Sequence, residues 1–535
     1  MCGIFCIFSS FIDQDALAVK YKICEPYLKR RGPDYYSDVN ITLSDYTFIF
    51  AGSILWLQGK NLVKQPLESN KSIFVFNGDL FGGNISDEDR KVYGDTILLY
   101  NKLEKATNKK NLKLYFGRDI FGRRSLLIGK VEEGFIITST ATKSIDCTEV
   151  PAIGIFSYDL LSKEFILTPW NFRNKNFSTK LKELEQFLSC NIGINEELQM
   201  VSYRKFCEPT EADTRFLNHI KLSFNEVFVE LLNNATFLNN VKQLHVLLET
   251  AVAKRISTQP KYCKLCIIEK QPCRHALVGV LFSGGLDCTI LALLSDKFTD
   301  AFRSIDLINV AFQKCGHYNT PDRKTGLESY KELKKLRPNR TWNFVPINVT
   351  ISELDKERSN YIKHLIHPLN SILDDSLGCA LWFASRGITT EYEVLSRVLL
   401  VGMGADELFG GYSRHRAALK KNGWLGLYDS LNEDWQNISH RNLARDDRVV
   451  ADHGRQLRTP YLDENVVDFV RSLNCWEKTC PFGDIPAGVG DKILLRTLAY
   501  QMGLREVPLF RKRALQFGSK IANSKENACD VSPRL

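Results

Sequence analysis

No run of apolar residues in this chain approaches the roughly twenty that a membrane-spanning helix requires. The apolar start, MCGIFCIFSSFI, is too short to span and no charged stretch precedes it, so it is expected to be a first strand and not a leader. Long blocks of like charge are missing as well. The 71 basic and 62 acidic residues leave a formal charge of +9, small for 535 residues, and exclude the electrostatic footprint of a nucleic-acid binder. Arg511-Lys512-Arg513 reads as a solvated surface run. Fifteen cysteines without a secretory leader argue against a disulfide framework and for free thiols in a reducing, cytoplasmic setting. No internal repeat is visible. The remaining composition, 44% hydrophobic and 25% charged, is that of two or three soluble globular domains.

The chain is organised around residues 276–287, ALVGVLFSGGLD. Seven apolar, partly β-branched residues make a buried strand that stops at Ser283-Gly284-Gly285. Ile290, Leu291, Leu293 and Leu294 then supply the buried face of a helix. Two glycines between strand and helix let backbone N–H groups converge where the helix dipole favours an anion. Neither GxxxxGK(S/T) nor GxGxxG occurs at this turn, which excludes a Walker loop and a dinucleotide fingerprint.

Residues 1–170 alternate short apolar runs (46–57, 72–81, 135–140, 153–160, 164–169) with turn residues and are expected to be sheet-rich. Residues 171–240, rich in Asn, Lys and Glu, read as a linker with helices of its own, one at 180–188. Asn240 is the expected N-cap of a helix carrying Val241, Leu244, Leu247, Leu248 and Val252 on one face. Over 241–522, apolar strands (276–282, 305–312, 398–401) alternate with helical stretches, the pattern of a parallel sheet covered by helices. The tail, 523–535, is expected to be disordered.

SGGLDC at 283–288 resembles the SGGxDS pyrophosphate loop of the ATP pyrophosphatase superfamily, whose members adenylate a substrate and release pyrophosphate. LLVGMGADELFGGY at 399–412 is similar to the loop that faces it in asparagine and β-lactam synthetases. With the opening Met1-Cys2-Gly3-Ile4, nearly the whole chain resembles the glutamine-dependent asparagine synthetases, and more narrowly a divergent branch of them. The resemblance implies an α/β protein. An N-terminal sheet-rich α+β sandwich of the Ntn amidotransferase type (1–170) is followed by a doubly wound, parallel-sheet ATP pyrophosphatase domain (241–522).

In the front half, removal of Met1 would leave Cys2 with an α-amine, of reference pKa near ~8, able to act as base for its own thiol. Arg31-Gly32-Pro33-Asp34, Asn77-Gly78-Asp79 and Gly94-Asp95 resemble in order the RGPD, NGE and GSD motifs of class II glutamine amidotransferases. The family implies an oxyanion hole from Asn77 and the Gly78 amide, with Asp95 and Asp79 holding the ammonium group of glutamine. Such donors act where negative charge develops on the former amide oxygen. Where these enzymes place an arginine for the α-carboxylate of glutamine, this chain has Leu55, and an aliphatic side chain cannot make that bidentate contact. The segment between Tyr100 and Gly117 is also shorter than the family pattern and lysine-rich.

In the rear half the resemblance implies that Asp287 and Asp406 are magnesium carboxylates, oxygen ligands suited to a hard cation on pyrophosphate. Ser283, Gly284 and Gly285 would cradle pyrophosphate, and backbone around Phe282, Phe312, Val401 and Gly402 would line adenine and ribose. Lys492 resembles the family lysine that stabilises charge at the acyl-adenylate. Arg448, Asp452, Arg458 and Asp463 would support the site, with Arg458 available to a carboxylate substrate. Met403 stands where the family has a glutamate near the reacting acid, and Gln456 replaces another glutamate; a thioether neither accepts a proton nor orients an ammonium.

Cys263-x2-Cys266-x6-Cys273-x-His275 sits directly before the organising strand. Three thiolates and an imidazole would complete a tetrahedral zinc site, the alternative being a reduced, cysteine-bearing loop. The expected activity is hydrolysis of glutamine at Cys2, passage of ammonia to the rear domain, and MgATP-dependent, AMP-forming amidation of aspartate to asparagine. The alternatives are a degenerate nucleotide-binding scaffold and adenylation of a different acid.

Overall fold

The computed structural model describes residues 2–10, 14–83, 85–106, 112–170, 176–195, 205–214, 224–271, 273–482, 489–522 and 526–535. Part of the lysine-rich stretch noted above, 107–111, lies outside the described residues, as do stretches of the 171–240 segment.

Strand Cys2–Ser9 lies inside a six-stranded sheet, between Tyr46–Ile54 and Gly134–Thr138, both antiparallel to it. Its alternation puts Phe5 and Ile7 on one face against Leu17, Tyr21, Cys24 and Leu28 of helix Gln14–Arg31. Cys6 and Phe8 on the other face meet Phe116, Phe156, Phe165 and Leu167 of a second, four-stranded sheet. Two packed sheets, antiparallel but for the edge pairing of Phe165–Pro169 with Gly193–Ile194, with a helix outside follow from that period-2 pattern.

The run 72–81, expected as a strand, pairs only at Ile73–Phe74, with Leu67–Glu68. Beyond it the backbone is held by side chains: Phe76 N–H donates to Gln65 Oε1 (2.6 Å) and Leu80 N–H to Asp95 Oδ2 (3.1 Å). Side-chain acceptors replace the ladder, so Asn77, Gly78 and Asp79 ride on irregular chain.

The segment expected as a linker divides between the two halves. Helix Phe177–Leu188 buries Phe177, Leu181, Leu184 and Leu188 in the front core, whereas Val227, Phe228 and Leu231 of helix Phe224–Asn233 join the rear core. The next helix, Ala235–Ser257, starts earlier than its expected cap. Asn234 caps it by accepting from Phe237 N–H (2.9 Å), and Asn240 is buried within it, donating to Glu477 Oε1 (3.2 Å). Phe237 extends the apolar stripe upstream, and an interior Asn with a buried partner mimics a cap in sequence.

The rear sheet is wholly parallel, in the order Trp342–Val349, Ile305–Phe312, Val278–Leu281, Val398–Leu400, Gln456–Arg458. Both faces are covered. Val278, Val280 and Leu400 pack with helices Ala235–Ser257, Leu286–Phe298 and Ile493–Gln501, while Leu281, Ile308 and Leu399 pack with helices Ile372–Arg386 and Leu443–Ala451.

The described part of the tail, 526–535, is anchored. Ile372 and Leu373 N–H groups donate to the Asp530 and Ala528 carbonyls, and the Arg534 guanidinium meets buried Asp375 at 2.7 Å. That buried carboxylate, also bonded by Arg358 and Ser532, explains why a polar tail is ordered.

No helix among the described residues is long and apolar enough to cross a membrane. Front and rear share one core, since Leu55, Leu57 and Phe121 belong to the same apolar cluster as the rear strands. Around it run ion pairs between the halves: Arg31–Asp447 at 2.7 Å, Arg30–Asp452 at 2.7 Å, Arg448–Glu149 at 2.9 Å and Arg397–Asp34.

Candidate functional site

The rear site forms at the carboxyl ends of neighbouring strands, where open α/β sheets bind ligands. Strand Val278–Leu281 runs into Ser283-Gly284-Gly285 and then into helix Leu286–Phe298. Gly284 has φ +80°, and a Cβ there would collide with the Gly326 backbone. Only glycine satisfies both constraints. The first-turn N–H groups of the following helix have no intrahelical partner and face the same turn. Phe282 and Val401 are buried just beyond two strand ends and Phe312 closes a third strand, and Gly402 backs directly onto Asp287, where a Cβ would come within 2.8 Å of the Asp287 Cβ.

Asp287, in the first turn of helix Leu286–Phe298, and Asp406, in the short helix Ala405–Phe409 after strand Val398–Leu400, converge on one atom. Lys492 Nζ lies 2.7 Å from Asp287 Oδ2 and 2.6 Å from Asp406 Oδ1. Lys492 is buried, has φ +56° and precedes helix Ile493–Gln501. A non-glycine residue held left-handed is a strained position of the kind found at functional sites. Burial alone would raise both carboxyls. For Asp406 the charges of Lys492 and Lys512 prevail and hold it at about 2, whereas Asp287 is raised, burial and the Asp406 charge outweighing the lysine. The two carboxylates face one lysine whose charge offsets theirs, and two oxygen donors from separate strand–helix junctions fit a hard divalent ion.

Three contributors escaped the sequence reading. Lys512, taken for solvated surface, reaches Asp406 at 3.5 Å and lies over the Tyr412 ring. Its neighbour Arg513 approaches Asp322 at 4.0 Å. Gly411 has no room for a side chain, because a Cβ would collide with Asp406 and Lys492. The GGY that ends the 399–412 motif was the available signal for it.

In the front site the Cys2 backbone nitrogen donates to Asn77 Oδ1 (3.0 Å), and Gln65 Nε2 approaches Cys2 Sγ at 3.6 Å. Burial pushes the Cys2 thiol up, opposed by the N-terminal charge. Asn77 Nδ2 is buried with no hydrogen-bond partner, a donor left over beside the thiol. Cys2, Leu55, Gln65, Gly78 and Asp95 line one small cavity. Asp95 is raised to about 6 by burial and by Asp79. Leu55, 2% exposed, is packed into the shared core, and no arginine takes its place beside the thiol among the contacts of the described residues.

Asp79, expected to hold the ammonium of glutamine, has its carboxylate engaged elsewhere. Its side chain is 3% exposed and receives Arg124 Nη2 (2.8 Å), Arg458 Nη2 (3.0 Å), Gln58 Nε2 (3.1 Å) and Gln456 Nε2 (2.5 Å). Burial would raise it, but Arg458 and Arg124 hold it at about 2. Arg458 is thereby committed to Asp79 and is not free for a carboxylate substrate. Asp447 links Arg31 to Arg124, so Asp79 belongs to a buried chain of charges between the halves. Met403 is half-buried against both rear clusters. Arg448 meets Glu149 and the Leu365 and Ile366 carbonyls, and Asp463 meets Arg255 at 2.8 Å; neither lines the front cavity or touches Asp287, Asp406 or Lys492 among the contacts of the described residues.

Comparison with known proteins agrees with this geometry. The Asparagine synthase family model matches residues 274–437 and 420–529. The chain is 39% identical to asparagine synthetase domain-containing protein CG17486 of Drosophila melanogaster over 100% of both chains. It is 34% identical to asparagine synthetase domain-containing protein 1 of Homo sapiens over 100% of this chain and 98% of that one. A Methanocaldococcus jannaschii protein named putative asparagine synthetase (glutamine-hydrolyzing) 1 is 30% identical over 37% of this chain and 32% of its own. With the paired strand-end carboxylates, the glycine turn and full-length relatives in agreement, the chain belongs to the asparagine synthase family, within its asparagine synthetase domain-containing branch.

Proposed function

We propose that this protein is an ATP-dependent, AMP-forming ligase that amidates a carboxylic acid with ammonia released from glutamine. The observation that carries the reading is the convergence of Asp287 and Asp406 on Lys492 beside the Ser283–Gly285 turn. Backbone N–H groups of that turn and helix would bind the phosphates of ATP, with Phe282, Phe312, Val401 and Gly402 around the nucleoside. Magnesium held by Asp287 and Asp406 would supply the charge that makes pyrophosphate a leaving group. Lys492 then stabilises negative charge at the reacting phosphate and carboxylate oxygens from a position already fixed by burial.

At the front, once Met1 is removed, the Cys2 α-amine would take the thiol proton and the thiolate would attack the glutamine amide carbon. Asn77 Nδ2 and the Gly78 N–H would stabilise the oxyanion, and Asp95 would receive the substrate ammonium. The expected acceptor is aspartate. Incubation with glutamine, aspartate and MgATP should yield glutamate, asparagine, AMP and pyrophosphate; unchanged ATP together with absent glutamate would refute the ligase reading. Met403 and the engagement of Arg458 by Asp79 favour a second version, in which the adenylated acid is less polar than aspartate. A pyrophosphate-release screen across carboxylic acids separates the two.

A further inference from the structure

Four residues that the ligase reading does not use stand together in the loop between helix Ala235–Ser257 and strand Val278–Leu281. The sulfurs of Cys263, Cys266 and Cys273 and a ring nitrogen of His275 all lie within 4.8 Å of one another. His275 Nδ1 is 3.3 Å from Cys263 Sγ and 3.6 Å from Cys266 Sγ. Zinc–sulfur bonds of about 2.3 Å and zinc–nitrogen bonds of about 2.0 Å at tetrahedral angles set that separation near ~3.5 Å. The observed spacings bracket this value. We propose that Cys263, Cys266, Cys273 and His275 bind a structural zinc ion in a closed, four-protein-ligand site.

The loop explains why a metal is needed. It exposes Ile268 (82%) and Leu265 (53%), and among the described residues of 258–275 the one buried aliphatic is Ile267, so the loop has almost no apolar core to hold its shape. Loops too small for a core are held by crosslinks or metals. The Cys266 N–H donates to Cys263 Sγ (3.4 Å), which closes the Cys-x2-Cys turn with both sulfurs on the same side. Three thiolates around a divalent cation leave one net negative charge, and the structure has its counterion in place. Arg303, 4% exposed, directs Nη1 to Cys273 Sγ at 3.8 Å and to the His275 carbonyl at 2.9 Å, and Nη2 to the Lys261 carbonyl at 3.2 Å. Outer contacts of this kind orient metal ligands.

The site would fix a loop that touches both halves. Lys264 N–H donates to the Leu395 carbonyl (2.9 Å), next to the strand that feeds Asp406. Tyr262 and Lys270 lie against Trp56, adjacent to Leu55 in the front cavity, at 6.4 Å and 5.7 Å. Zinc would therefore act as a clasp where the front domain meets the start of the nucleotide-binding strand.

The test is metal analysis of the full chain purified with reductant and without chelator. About one zinc per chain is expected, and replacement by cobalt(II) should give thiolate charge-transfer and tetrahedral ligand-field bands. A Cys266→Ser/Cys273→Ser double variant should lose at least about nine-tenths of the metal. A Cys315→Ser control, at an exposed cysteine outside the cluster, should keep it, and so should His275→Cys, which preserves four ligands. Should the double variant fail to fold, the cobalt spectrum of the unaltered chain decides. The proposal is overturned by a chain that takes up no zinc even when zinc is supplied, by a cobalt spectrum without thiolate bands, or by a double variant that retains the metal.

Discussion

Lys492, itself buried, is the counterion of two half-buried carboxylates, and its removal has consequences of two kinds. Lys492→Met leaves Asp287 and Asp406 facing each other with Lys512 beside Asp406 alone, and loss of the buried cation should cost at most about 3 kcal/mol. Magnesium should therefore raise the melting temperature of this variant more than that of the unaltered chain, and pyrophosphate release should fall about 100-fold or more. Calorimetry with and without magnesium, beside a pyrophosphate assay, reads both. His453 offers a cleaner pH effect, and it does not line the front cavity. It is half-buried against Trp382, its buried Nε2 has no partner, and desolvation together with Arg455, Lys264 and Arg386 lowers its pKa well below 6.5. The unfolded chain takes up a proton near 6.5 that the folded chain refuses. Its contribution to stability is thus complete above about pH 6.5 and is lost as pH falls, by up to about 1.4 kcal/mol per pH unit. Denaturant midpoints measured from pH 7.5 down to 5.5 should flatten in His453→Gln.

Among the elements, those set by local pattern were readable and those set by distant partners were not. Strand Ile305–Phe312 matches its apolar run end to end, because a parallel strand covered on both faces has only one way to be hydrophobic. Asn77 contacts the Cys2 backbone and Asp95 lines the same cavity as Cys2. The irregular course of 75–81 could not be read, since its backbone partners are Gln65 and Asp95 side chains ten or more residues away. Lys512 was misjudged for the same reason: nothing local distinguishes a lysine in a basic run from one that reaches a buried aspartate. The glycine turn shows what pattern does secure. Gly284→Ala asks for a left-handed alanine and pushes its Cβ into Gly326, so it should lower stability by more than about 1 kcal/mol. Gly82→Ala, in open space at ordinary φ, should leave the melting curve unchanged, and equilibrium binding of ATP should be weakened by the first substitution alone.

The two halves are held as one body by charge as much as by apolar contact, and Asp447 is the residue through which that holds. Its side chain and that of Arg31 are both fully buried, and its other oxygen takes Arg124, which also holds Asp79 beside the front cavity. Burial would raise Asp447, but Arg31 and Arg124 lower it, so it stays ionised in the interface. A buried pair that is intact adds little over an apolar contact of the same shape, yet one that loses a partner leaves a charge with neither water nor counterion. Asp447→Ala takes a fully buried carboxylate away from Arg31 and Arg124, of which Arg124 keeps Asp79, and should cost the interface about 3 kcal/mol, while the apolar clusters within each half stay complete. Since the unaltered chain carries Leu55, Leu57 and Phe121 in the rear core, its halves should unfold in one calorimetric transition. The variant should show two, the earlier belonging to the released front domain. Restoring the shape without the charge, in the triple variant Asp447→Leu, Arg31→Met and Arg124→Met, should bring the transitions back together if desolvated charge is the cause; two transitions persisting there would assign the loss to packing instead.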